Sequence, residues 1–81
     1  MKATKIENRD CYEVEYDGAT GTGAIKAEFT NPDNDDVSDY KGADDGKFIV
    51  TVDPGYVGTA DVVVTHEADG AVLDEGTVEF G

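Results

Sequence analysis

Residues 53–80 read Asp-Pro-Gly-Tyr-Val-Gly-Thr-Ala-Asp-Val-Val-Val-Thr-His-Glu-Ala-Asp-Gly-Ala-Val-Leu-Asp-Glu-Gly-Thr-Val-Glu-Phe. Pro54-Gly55 is a turn signal, Tyr56 to His66 alternates with period two, Ala68-Asp69-Gly70 turns the chain again, and a return strand ends at Val78 and Phe80. Tyr56, Gly58, Ala60, Val62 and Val64 share one parity and form the expected inward face, with Asp61, Val63, Thr65 and Glu67 outward. Leu73 differs in parity from Val78 and Phe80, so both sets face inward only if a bulge resets the register, expected near Gly76. A hairpin with one apolar face needs a second layer to cover it.

The preceding stretches supply that layer. Cys11 to Asp17 places Tyr12, Val14 and Tyr16 on one face and Glu13, Glu15 and Asp17 on the other. Ile25, Ala27 and Phe29 alternate between Gly23 and Thr30, and Phe48, Val50 and Val52 do so between Gly46 and Asp53. Thr4 to Glu7 is expected as a short opening strand with Ile6 inward, and a short edge strand is expected around Val37 to Tyr40. Pro32 and the Asx residues from Asn31 to Asp36 end a strand and favour turns. No stretch carries a 3.6-residue period. The expectation is a single all-β domain over residues 1–81, a small antiparallel sandwich of six to seven strands.

Pro54-Gly55-Tyr56 ahead of Gly58-Thr-Ala-Asp-Val-Val-Val64 resembles the tyrosine corner that leads into the sixth strand of immunoglobulin-like domains. The resemblance implies an immunoglobulin-like β-sandwich, with Tyr56 as the corner residue hydrogen-bonding back to the chain. The chain departs from antibody-type domains in having no Trp and in placing Gly58 where the second disulfide cysteine would stand.

Charge carries the other signal. Nineteen carboxylates against six basic side chains give a net charge of −13, and Asp outnumbers Glu. At molar salt the Debye length falls to about 3 Å, so the self-repulsion of such a surface is largely screened. The composition resembles that of proteins from extreme halophiles, particularly haloarchaea and their viruses. The same charge disfavours nucleic-acid binding, which needs a basic patch, and no apolar run reaches the roughly 20 residues of a membrane helix.

Candidate chemistry is sparse. Gly18 to Gly23 lacks the following helix and Lys-Ser/Thr pair of a phosphate loop. The chain holds one His, one Cys, one Ser and one Arg. His66 is expected at a strand end as a partly exposed imidazole, Ser38 has nothing to pair it with His66, and Cys11 is expected on the polar face. Oxygen ligands at alternate positions make Asp33, Asp35 and Asp36 the candidate site for Ca²⁺ or Mg²⁺, with Asp39 and Asp44 as an alternative pair. The EF-hand spacing is not met, because Asp36 stands at its glycine position.

No enzymatic activity is expected. The chain opens at Met1 without a signal-peptide pattern, which points to a small complete reading frame. Resemblance and composition together imply a capsid decoration or cement protein of a virus infecting a halophile. It would assemble in the host cytoplasm, be oligomeric on the shell and bind virion proteins. The alternatives are a cell-surface or secreted adhesion module of a halophile and an acidic DNA-mimic inhibitor. Outward Val63, and either Leu73 or its bulged alternative, are the expected contact residues.

Overall fold

The computed structural model describes residues 1–30 and 39–81. Seven strands follow one another: β1 (Lys2–Lys5), β2 (Cys11–Glu15), β3 (Ala24–Thr30), β4 (Tyr40–Ala43), β5 (Lys47–Thr51), β6 (Gly58–His66) and β7 (Val72–Phe80). They form a three-stranded sheet in the order β1-β2-β5 and a four-stranded sheet in the order β4-β3-β6-β7, with every pairing antiparallel. The described residues contain no helix.

Period-two alternation gives each sheet one apolar face, and the two faces close on each other. Tyr12, Val14, Phe48 and Val50 come from the smaller sheet; Ile25, Ala27, Ala60, Val62, Val64, Val78 and Phe80 come from the larger, all in one buried cluster. Aromatic rings bridge the layers. Tyr12 meets Phe80 edge-on at 4.9 Å between centroids, and Tyr40 stacks on Phe48 at 5.0 Å. The Tyr40 ring crosses Gly42, where any Cβ would collide with it, so glycine there lets an edge-strand ring reach the core.

Loops gather at two ends. One end holds Tyr16 to Gly23, Asp44 to Gly46 and Glu67 to Ala71; the other holds the turns at 6–10 and 52–57 together with the terminal Gly81. At the second end the Val52 N–H donates to the Asp10 carbonyl at 3.0 Å, and the Gly81 N–H donates to the Tyr12 hydroxyl at 2.8 Å.

Several expectations shift. The opening strand is Lys2–Lys5, with Ala3 packed against the core, and Ile6 instead begins the turn that Asn8 closes at a φ of 63°. The bulge lies at Leu73, because Val64 pairs with Asp74 and Thr65 with Val72, whereas Gly76 pairs regularly with Val62. That extra residue turns Leu73 onto the core while Val78 and Phe80 stay buried. Gly18 fits against the bulge, where a Cβ would come within 2.9 Å of the Leu73 carbonyl oxygen, and its φ of 84° suits a residue without a side chain. The edge strand starts at Tyr40, while Val37 lies outside the described residues. Cys11 keeps its outward parity yet is only 9% exposed. Leu73 packs inward and Val63 is half-buried; among the described residues the large apolar side chains left exposed are Val57, Val72 and Ile49.

Charge is also sorted by position. All five lysines lie on strands, with seven carboxylates, and nine further carboxylates of the described residues lie outside the strands. Lys26 and Lys41 stand directly opposite each other and pair with Glu28 and Glu67 at 3.5 and 3.3 Å.

Candidate functional site

Asp44 is the buried charged residue of the described part of the chain, with a side chain that is 0% exposed. It follows β4, so the strand carries its carboxylate to the first loop end. Four segments meet there. Tyr16, at the end of β2, donates its hydroxyl to Asp44 Oδ1 at 2.8 Å and accepts the Gly46 N–H at 3.1 Å. The Tyr16 N–H also donates to the Gly46 carbonyl at 3.0 Å, fixing the turn between β4 and β5 against the smaller sheet. From the glycine-rich connection, Thr20 donates its N–H at 2.9 Å and its hydroxyl at 2.5 Å to Asp44 Oδ2. From the end of β6, His66 Nε2 lies 2.9 Å from the same oxygen.

A buried carboxylate is stable only when donors replace its hydration. The Thr20 hydroxyl is the strongest influence in holding the Asp44 carboxyl well below the usual carboxylate range, against the opposing effect of burial; the Thr20 N–H, His66 and Tyr16 add to it. Burial, with the neighbouring Asp44 carboxylate, pushes the Tyr16 phenol up to about 12, although the Gly46 N–H acts the other way. The cluster thus favours a neutral phenol beside an ionised carboxylate.

The groups superficially suggest a hydroxyl, imidazole and carboxylate triad, but the geometry differs. In a triad the imidazole stands between nucleophile and acid, using both ring nitrogens. Here Nε2 alone faces Asp44 at 2.9 Å and Thr20 Oγ1 at 3.3 Å, and the Thr20 hydroxyl donates to the carboxylate itself. Thr20 therefore has no base of its own. What this arrangement does is clasp: it ties the end of β2, two loops and the end of β6 to one anion, joining both sheets.

The residues expected to hold a cation, Asp33, Asp35 and Asp36, lie outside the described residues, as does Ser38. Asp39 is not a partner for Asp44. Its Oδ1 accepts the Phe29 N–H at 2.9 Å, and the intervening strand separates the two by roughly 16 Å at about 3.3 Å per residue. Among the described residues no group of three or more His, Cys, Asp or Glu comes together. Tyr56, expected as the corner residue, has its N–H donating to the Asp53 carbonyl at 3.0 Å and its ring 6.0 Å from Phe80.

Sequence reasoning placed Tyr16 inward and His66 at a strand end but did not join them. The available signal was a tyrosine at the last inward position of a strand, directly before a glycine-rich loop, where its hydroxyl must find a partner at the rim. Comparison with known proteins finds no family model, no curated protein and no solved structure that matches the chain.

Proposed function

We propose that the chain is a non-catalytic, immunoglobulin-like module that acts through protein contacts, as a capsid decoration or cement protein of a virus infecting a halophile. The strand order supports the family reading. With β1, β2 and β5 as the A, B and E strands, β4-β3-β6-β7 follows the C′-C-F-G order of the facing sheet. The observation that carries the functional reading is the clasp, because the groups best suited to chemistry at the loop end are engaged in holding loops together. A domain built this way presents a rigid surface.

The sorted charge supports the saline setting. Among the described residues, eight exposed carboxylates outside the strands give a hydrated acidic rim, and lysines on the strands leave the sheet faces as the less acidic surfaces for contact. The exposed Ile49, Val57 and Val72 replace Val63 and Leu73 as the first places to look for contact residues. The test is to purify virions from a halophile culture that expresses the chain and to measure its copy number by quantitative mass spectrometry. High copy number at symmetry-related sites supports the proposal, and absence from the particles removes it. Recovery from the host surface instead would favour the adhesion module, and competition with DNA for an enzyme would favour the acidic mimic.

A further inference from the structure

The hydrogen bonds along β5 fix which of its backbone groups face outward. The Val52 N–H donates to the Asp10 carbonyl and the Tyr16 N–H to the Gly46 carbonyl, both at 3.0 Å. Between them Val50 stands opposite Tyr12 and Phe48 opposite Val14. Antiparallel pairs alternate between bonded and non-bonded, so the backbone of residues 46, 48, 50 and 52 points toward β2. The N–H and C=O groups of Lys47, Ile49 and Thr51 therefore point away from it, and β5 is the last strand of its sheet. Asp45 Oδ1 accepts the Lys47 N–H at 3.4 Å, whereas Ile49 and Thr51 present theirs at the edge.

An open edge accepts another strand unless a bulge, charge or short length blunts it. β7 carries the bulge at Leu73 together with Asp74, Glu75 and Glu79. β1 and β4 have four residues each and carry Lys2, Lys5 and Lys41. β5 pairs in unbroken register, holds no carboxylate and leaves Ile49 45% exposed at its centre. Among the described edges it is thus the one with an apolar centre and no bulge.

We propose that β5 pairs antiparallel with β5 of a second copy of this chain, about a two-fold axis beside Ile49. With Ile49 opposite Ile49, the register places Lys47 opposite Thr51 at both ends of the strand, so the edge is complementary to itself and no like charges face each other within it. The two Ile49 residues exchange both backbone bonds, with Cα atoms about 5.5 Å apart. Each Thr51 N–H donates to the Lys47 carbonyl of the other copy, which leaves the Lys47 N–H with Asp45. Lys47, Ile49 and Thr51 share the outer face, so the isoleucines cover each other while Phe48 and Val50 stay in the core. The joined sheet runs β1-β2-β5-β5-β2-β1. Asp45 and Asp53 flank the strand and oppose each other at the ends of the seam, so pairing strengthens as salt shortens the Debye length to about 3 Å.

Pairing is measured on the isolated chain, so it stands or falls apart from attachment to a shell. The experiment is sedimentation equilibrium over a range of protein concentrations, in molar and in about 0.1 M NaCl, with amide hydrogen exchange followed by NMR. The expected mass rises toward two copies with concentration, more readily in molar salt. The Ile49 and Thr51 amides should gain protection as the dimer forms, while those of Phe48 and Val50 are protected throughout. Ile49→Lys sets like charges opposite each other and should weaken association about tenfold or more. It also reduces the net negative charge, so general repulsion cannot account for that loss. Thr51→Lys, which opposes Lys47 of the second copy, gives the same reading should Ile49→Lys fail to fold. A single-copy mass at every concentration overturns the proposal and leaves the edge to a strand of another protein. So does a dimer whose Ile49 and Thr51 amides gain no protection, or one that a folded variant forms as readily, since either means contact through another surface.

Discussion

The two loop ends of the sandwich are closed by opposite means. At one, a buried carboxylate accepts bonds from Tyr16, Thr20 and His66 with fixed directions. At the other, Phe80 is fully buried against Tyr12, with Tyr56 6.0 Å away, and the terminal backbone closes onto the Tyr12 hydroxyl. The contrast teaches that a chain with little apolar area can close one end by shape and the other by charge. Closure by shape scales with area and tolerates changes that keep volume. Closure by charge depends on single atoms, because any donor removed leaves a buried partner short.

The largest effect should come from the shape-closed end. Phe80→Ala empties a site shared by both sheets and should cost about 3–5 kcal/mol, read from denaturant unfolding. Phe80→Leu should recover most of that loss, since apolar volume is what the site requires. A Phe80→Ala variant within 1 kcal/mol of the parent would mean that the rings do not close this end.

At the charge-closed end, Tyr16→Phe keeps the ring and removes one hydroxyl. The Gly46 N–H and Asp44 Oδ1 each lose a partner, for an expected cost of about 1–3 kcal/mol. A volume-conserving change that is well tolerated at the ring end is thus costly here, and equal tolerance at both ends would erase the distinction.

The same hydroxyl gives a pH signature. The fold raises the Tyr16 phenol from its ordinary value near 10 to about 12 and so favours the neutral form. Its contribution is complete below pH 10 and is lost as pH rises through about 12. Phenolate absorbance should show a late component near pH 12 that Tyr16→Phe lacks. Asp44 acts on the acid side with the opposite sign. Its depressed carboxyl stabilises the fold above the ordinary carboxylate range, and that stabilisation fades as pH falls below it.

The two ends also differ in how far the sequence revealed them. The ring end was legible because Tyr12, Val78 and Phe80 sit at regular inward parity, and alternation is a local pattern. The clasp was not, because Tyr16, Thr20, Asp44 and His66 span 50 residues and meet only after the sheets form. Asp44 carries no mark that separates it from 18 other carboxylates. The Leu73 bulge was foreseen in kind but misplaced, because glycine at 76 looked permissive while the close fit of Gly18 against Leu73 is a long-range fact. β1 was displaced because Ile6 looked like a core residue, yet the turn that Asn8 closes at positive φ claims it.

Salt gives the smallest and most discriminating effect. Lowering NaCl from molar to about 0.1 M lengthens the Debye length from about 3 to 10 Å, which restores repulsion among exposed carboxylates and scarcely reaches a buried one. The strand signal in circular dichroism and the melting temperature should fall for the parent chain on dilution. The difference in stability between the parent and Tyr16→Phe should stay constant within about 0.5 kcal/mol, because both carry the same surface charge and differ only inside the clasp. A melting temperature indifferent to salt would mean that the −13 charge does not strain the fold. A Tyr16→Phe difference that grows on dilution would mean that the clasp is open to solvent ions, contrary to an Asp44 side chain with no exposed surface.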